Sequence, residues 1–165
     1  MANNELLTSW LKDAHSMEQA QKQTLERFSD QLEDFPDAKA KVEEHIKVTE
    51  RQADDINLCL QRLGEDTSAV KSAVGTVVGA VQGMATAPFK DDIVKDMIAM
   101  HANEHFEHAS YLSLAAAARE CGEDEIAEAC DKICEEELAM AEWIQEQIPV
   151  ITASVIEKTA QDARP

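Results

Sequence analysis

At 165 residues the chain is long enough to bury a core and short enough to be one domain. Aromatics make up only 4% and Gly and Pro are few, while good helix formers dominate, so the composition predicts an all-α fold. The 33 acidic residues against 15 basic ones give a net charge of -18, which argues against nucleic acid and anionic membrane surfaces as partners and favours attraction of cations.

In chain order, the first helix is predicted from about Glu5 to Leu32, on the spacing of Leu7, Leu11, Ala14, Leu25, Phe28 and Leu32, with Asn4 as its N-cap. A tight turn at Glu33-Asp-Phe-Pro36 leads into a second helix from Pro36 to about Leu63, striped by Ala38, Val42, Ile56 and Leu63 and stopped at Gly64. A long crossover of about 65–90 follows. It contains a shorter helix over 68–87, with Gly75, Gly79 and Gly83 forming a small-residue face suited to close packing or a dimer contact. Its Ser, Thr and Gln residues argue against a transmembrane span. The third helix runs from about Asp91 to Arg119, ending near Gly122, and the fourth from about Asp124 to Ile148, with Pro149 as its stop. Residues 150–165 are expected to form a short helix or tail that then frays, beyond a domain of 1–149. Two tight turns around one long crossover are the connectivity of a ferritin-like four-helix bundle.

The N-terminus has no basic, apolar, small-residue leader pattern, and Cys59, Cys121, Cys130 and Cys134 make no disulfide framework. Both features are expected of a cytoplasmic protein. Cys130 and Cys134 are read as small apolar core residues.

Wheels drawn at about 100° per residue decide which polar groups face inward. Glu18 lies inside the first helix's stripe, with Gln21 continuing it. On the second helix His45, Thr49 and Gln52 share the face of Val42 and Ile56, whereas Glu43 and Glu50 point away. Glu104 and Glu107 share a face with Met97, Met100 and Tyr111, and Glu137 falls between Ile133 and Met140. Measured from the two turns, Glu18 comes level with Gln52, Gln21 with Thr49, Glu107 with Glu137 and Glu104 with Met140. Four inward carboxylates at one height repel unless protons or cations neutralise them, so they predict a metal site. The competing interpretation is a hydrated polar cavity. His101, His105 and His108 sit at the edge or outside of their stripe and are read as surface or interface residues. His15 lies near a seam. His45, a turn or two from the acids, is read as a core histidine with a hydrogen-bond partner.

Trp10-Leu-Lys-Asp-Ala-His-Ser-Met-Glu18, Glu43-x-His45, Glu104-His-Phe-Glu107, Tyr111-Leu-Ser-Leu-Ala-Ala-Ala, Glu136-Glu137, Met140-Ala-Glu-Trp143 and Ile148-Pro149 resemble the ferritin-like YciE/YciF stress-protein family of bacteria, particularly its YciE branch. The similarity covers about residues 9–149. It implies a ferritin-like bundle, a homodimer, and a cytoplasmic protein linked to stress.

The wider di-iron pattern takes one Glu from each of two helices and Glu-x-x-His from each of the other two. The corresponding positions here read Thr49-Glu-Arg-Gln52 and Glu137-Leu-Ala-Met140, so both histidines are replaced and one acid has become Thr49. The expected metal ligands are Glu107 and Glu137 as shared groups, Glu18 and Glu104 as terminal ones, and Gln52 as a weak neutral ligand or hydrogen-bond partner. They would hold one or two divalent ions, Fe or Mn, with Mg and Ca equally suited to an all-oxygen site. If iron binds, its oxidation by peroxide or oxygen is the reaction to test. The alternative is a non-catalytic dimeric module that kept the bundle and lost the chemistry.

Overall fold

The computed structural model describes residues 2–65 and 92–162. They form four helices: α1 (Ala2–Gln31), α2 (Pro36–Arg62), α3 (Asp92–Glu120) and α4 (Asp124–Asp162). The glycine face Gly75, Gly79 and Gly83, with the whole expected crossover helix, lies outside the described residues.

Local chemistry sets most of the helix ends. Pro36 occupies the first turn of α2, where its missing N–H breaks no bond. Gly64 and Gly122, at φ 84° and 75°, end α2 and α3 in the left-handed conformation. In both cases the next amide reaches back to close the turn, Glu65 N–H to the Leu60 carbonyl at 3.1 Å and Glu123 N–H to the Ala118 carbonyl at 2.9 Å.

Two boundaries differ from the sequence expectation. Asn4 is not an N-cap, because α1 begins at Ala2 and Asn4 lies within its first turn. Pro149 does not stop α4. It sits on the exposed side of a helix that continues to Asp162. The ring forfeits one backbone hydrogen bond, and packing beyond it offsets that loss. Ile151 is buried in one cluster with Leu32 and Ala38, against which Phe35, Ile148 and Val155 pack partly buried. Lys158 also reaches Asp34 at 2.6 Å and lies over the Phe35 ring. The C-terminal helix is therefore continuous with α4 and covers the α1–α2 turn.

The bundle is built from two helical hairpins, α1–α2 and α3–α4, laid against each other with α1 facing α3 and α2 facing α4. Its interior holds two apolar clusters. One joins Leu7, Leu11, Ile56, Leu60, Tyr111, Ala118, Ile126 and Ile133. The other joins Leu25, Phe28, Leu32, Val42, Met97, Met100 and Ile144. The start of α1 thus lies beside the end of α3, and the start of α2 beside the end of α4, so facing helices are antiparallel. The described ends of the crossover, Glu65 and Asp92, consequently lie at opposite ends of the bundle, as a ferritin-like connection requires. The four cysteines are free thiols, and three of them are buried, as expected for small core residues.

Candidate metal centre

Between the two apolar clusters lies one polar layer. Glu18 and Gln21 from α1, His45, Thr49 and Gln52 from α2, Glu104 and Glu107 from α3, and Glu137 from α4 are all buried. Helical repeats of three, four and seven residues put each set on one face, and apolar side chains on the same face drive that face inward. All five expected ligands, Glu18, Gln52, Glu104, Glu107 and Glu137, are therefore interior, with exposures of 0–1%.

The contacts among them are uneven. Glu104 accepts a hydrogen bond from Gln21 Nε2 at 2.7 Å on one oxygen and meets His45 Nε2 at 3.1 Å on the other. His45 Nε2 also lies 3.7 Å from Glu137 Oε2. The other Glu137 oxygen accepts a hydrogen bond from Gln52 Nε2, which donates as well to Glu136 at 3.1 Å. Tyr111 donates its hydroxyl to Glu18. Glu107 has no hydrogen-bond partner on either oxygen, and Gln52 Oε1 and Thr49 Oγ1 are likewise buried and unpartnered.

The protonation states follow from this burial. Burial, then the charge of Glu137, pushes Glu18 well above the usual carboxylate range, outweighing the Tyr111 hydrogen bond. Burial, then Glu18, Glu104 and Glu137, does the same to Glu107. Glu104 is raised by burial to about 8 despite its hydrogen bond to His45. Burial would lower His45, but the hydrogen bonds to Glu104 and Glu137 prevail and raise it to about 10. Burial would raise Glu137, but hydrogen bonds from His45, Glu104 and Gln52 prevail and lower it. Without a cation, burial thus favours the neutral forms of Glu18, Glu107 and Glu104, while His45, between Glu104 and Glu137, favours its charged form.

Ligand atoms of His45, Glu104 and Glu137 all lie within 4.8 Å of one another. Donors about 2.1 Å from a shared ion stand up to about 4.2 Å apart, so a small inward movement brings the three to coordination distance. The partnerless oxygens of Glu107 are the second sign of fit, because a buried carboxyl without partners is costly unless something fills the gap. A nitrogen-and-oxygen donor set suits Fe, Mn or Zn, and the carboxylates alone suit the harder ions.

His45 is the residue whose part the sequence reading underestimated. It has the hydrogen-bond partner expected of a core histidine, but that partner is Glu104, inside the cluster. Thr49 is four residues, about 6 Å, along the helix from His45, and Glu107 is three residues, about 4.5 Å, along from Glu104. His45 and Glu104 are displaced in the same direction, and the imidazole's length closes the rest. The available signal was the inward face shared by His45 with Val42 and Ile56. Gln52 holds Glu137 through its amide nitrogen, as a hydrogen-bond partner, while its free oxygen remains able to ligate. Gln21 and Tyr111 hold Glu104 and Glu18 in place. His105 is exposed and packs edge-to-face on His101, and His108 bonds to the Cys134 carbonyl, so none of the three joins the layer.

The pattern of the family described as Domain of unknown function (DUF892) matches residues 2–158. Among solved structures, a protein from Xanthomonas campestris pv. campestris is 29% identical with a TM-score of 0.82, over 97% of this chain and 99% of that one. YcfI from Rhodopseudomonas palustris is 22% identical with a TM-score of 0.69, over 88% of this chain and 94% of that one. The Escherichia coli stress protein YciF is 18% identical with a TM-score of 0.68, over the same shares. These last two likenesses establish the ferritin-like helical fold alone.

Proposed function

The chain belongs to the DUF892 family, and from that premise we propose that it is a ferritin-like protein that binds a divalent metal in its polar layer. One observation carries this reading: His45, Glu104 and Glu137 converge from three helices, with a carboxyl beside them, Glu107, that has no partner of its own. His45, Glu104 and Glu137 would hold one ion. Glu107 and Glu18 would share it or hold a second, with the Gln52 oxygen as a neutral donor.

Binding requires this layer to give up protons. His45 must lose its proton to ligate through Nε2, and Glu104, Glu107 and Glu18 must ionise, so metal binding releases protons and weakens as pH falls. Gln21, Gln52 and Tyr111 orient the carboxylates, and the surrounding methionines and aliphatic side chains keep bulk water out. Bound iron or manganese would supply one-electron redox chemistry at this position. Use of that chemistry on peroxide or oxygen under stress extends the same reading.

Metal per chain, measured after loading apo-protein with Fe(II) or Mn(II), tests it. Native protein should retain metal, and protein carrying His45→Ala with Glu137→Ala should not. Native protein that retains none would refute the proposal.

A second reading, a homodimeric interaction module without chemistry, is favoured by Leu6, Trp10 and Phe106, which stay 38–55% exposed on α1 and α3. Trp10 and Phe106 border a cavity of about 400 Å³. Sedimentation of native protein against Trp10→Ser with Phe106→Ser tests the contact. Dimerisation without any metal binding would favour that module.

A further inference from the structure

The polar layer is closed to solvent almost everywhere. Glu18, Glu104, Glu107 and Glu137 are 0–1% exposed, whereas His45 is 5% exposed. That residual exposure opens into a cavity of about 200 Å³ on the α2–α4 seam, lined by Lys41, Glu44, His45, Val48, Arg51 and Glu136 among others. α2 and α4 belong to different hairpins and pack more sparsely than the helices within a hairpin. The larger cavity on the α1–α3 seam is walled mainly by apolar groups and touches no member of the cluster.

A continuous polar chain runs inward from this smaller cavity. Arg51 Nη2 holds Glu136 Oε1 at 2.6 Å. The other Glu136 oxygen accepts from Gln52 Nε2, which also holds Glu137, and Glu137 in turn faces His45. Glu136 is three-quarters buried and adjacent in sequence to a cluster carboxylate, yet its partner Arg51 is 44% exposed. Lys41, the other cation at the mouth, is occupied by Glu44 at 3.0 Å. Both cations keep two-fifths or more of their side-chain surface in solvent, which screens their pairs and weakens them.

We infer that the α2–α4 seam is the way in for the divalent cation, and that Glu136 is the carboxylate that receives it in competition with Arg51 before it passes to Glu137 and His45. This rests on the metal-binding reading and adds to it a route and two rate-determining side chains outside the cluster. The acidic exterior concentrates cations near the surface. The Arg51–Glu136 pair is then the last charge the ion meets before the site. Val48 and Ala139 leave the passage its width.

Stopped-flow mixing of apo-protein with Co(II), followed by its visible absorption, reads the loading rate separately from the amount bound. Glu136→Gln should slow loading about tenfold, in line with the rate effects of single-sign charge in clefts. Arg51→Gln should speed it several-fold, and Ala139→Trp, which plugs the mouth from an exposed position, should slow it at least as much as Glu136→Gln. Ser113→Trp, which fills the α1–α3 cavity instead, should leave the rate unchanged. All four variants should bind the native amount of metal at equilibrium. Native loading rates in Glu136→Gln, Arg51→Gln and Ala139→Trp would overturn the route, as would slowing by Ser113→Trp alone. Native protein that takes up no metal would remove the metal-binding reading itself, an outcome distinct from unaltered kinetics.

Discussion

Replacing Glu107 with Met should make the metal-free protein more stable while weakening its response to metal. Glu107 is fully buried and neither of its oxygens has a partner. Leaving a buried polar group unsatisfied costs roughly 1–3 kcal/mol, and exchanging buried polar networks for apolar groups of similar volume gains up to about 4 kcal/mol. Met is unbranched and close to Glu in length, so it should occupy the same space without opening a cavity. For a chain of this size each kcal/mol moves the melting point by about 2–4 °C, so a gain of about 1–3 kcal/mol puts the metal-free variant about 2–12 °C above native protein. Metal acts the other way. At a hundredfold excess over its Kd an ion stabilises the fold by about 2.7 kcal/mol, so native protein should gain about 5–10 °C with Mn(II). Without the Glu107 carboxylate that gain should at least halve. Thermal unfolding followed by circular dichroism, in EDTA and in Mn(II), provides all four melting points. A metal-free variant that melts below native protein would refute the reasoning, because it would mean that the Glu107 carboxyl already stabilises the empty layer.

His45→Leu should destabilise the metal-free protein by about 3–5 kcal/mol, since it leaves the Glu137 carboxylate buried without its cation, and it should lower metal affinity at least tenfold by titration. Stability without metal should fall as pH rises. Glu104 goes from 4.5 to about 8 on folding and His45 from 6.5 to about 10, so their stabilisation is complete below the lower values and is lost as pH climbs through the higher ones. Glu137, whose value is lowered, adds the opposite trend only at acid pH. Urea midpoints in EDTA at pH 5, 7 and 9 should therefore decrease, and with Mn(II) the decrease should shrink or reverse. Tyr111→Phe removes the hydroxyl that Glu18 accepts from and should cost about 1–2 kcal/mol with metal stoichiometry unchanged, as measured by urea unfolding and metal analysis. Ile151→Ala should cost about 2–4 kcal/mol in the same assay, because Ile151 is core even though it follows Pro149.

The bundle was legible because its signals are local. Leu7, Leu11 and Leu25 recur at helical spacing, and Pro36, Gly64 and Gly122 mark ends through backbone conformations that need no distant partner. Pro149 carries an equally strong local signal, and there the local reading was wrong. Ile151 finds a buried position and Val155 a partly buried one in the cluster that holds Leu32 and Ala38, and that distant packing outweighs one missing backbone bond.

The same division runs through the polar layer. Helical periodicity by itself determined that Glu18, Gln52, Glu104, Glu107 and Glu137 face inward, because direction around a helix depends only on position within it. Periodicity carries no information on how far a side chain reaches across to another helix. Only the tertiary structure decided that His45 joins Glu104 and Glu137, that Gln52 holds Glu137 through its amide nitrogen, and that Glu107 is left with no partner. Those facts depend on the relative heights of helices joined by long connections. A shift of one turn, about 5.4 Å, is comparable with the uncertainty of about two to four residues in a helix end read from sequence and larger than any hydrogen bond.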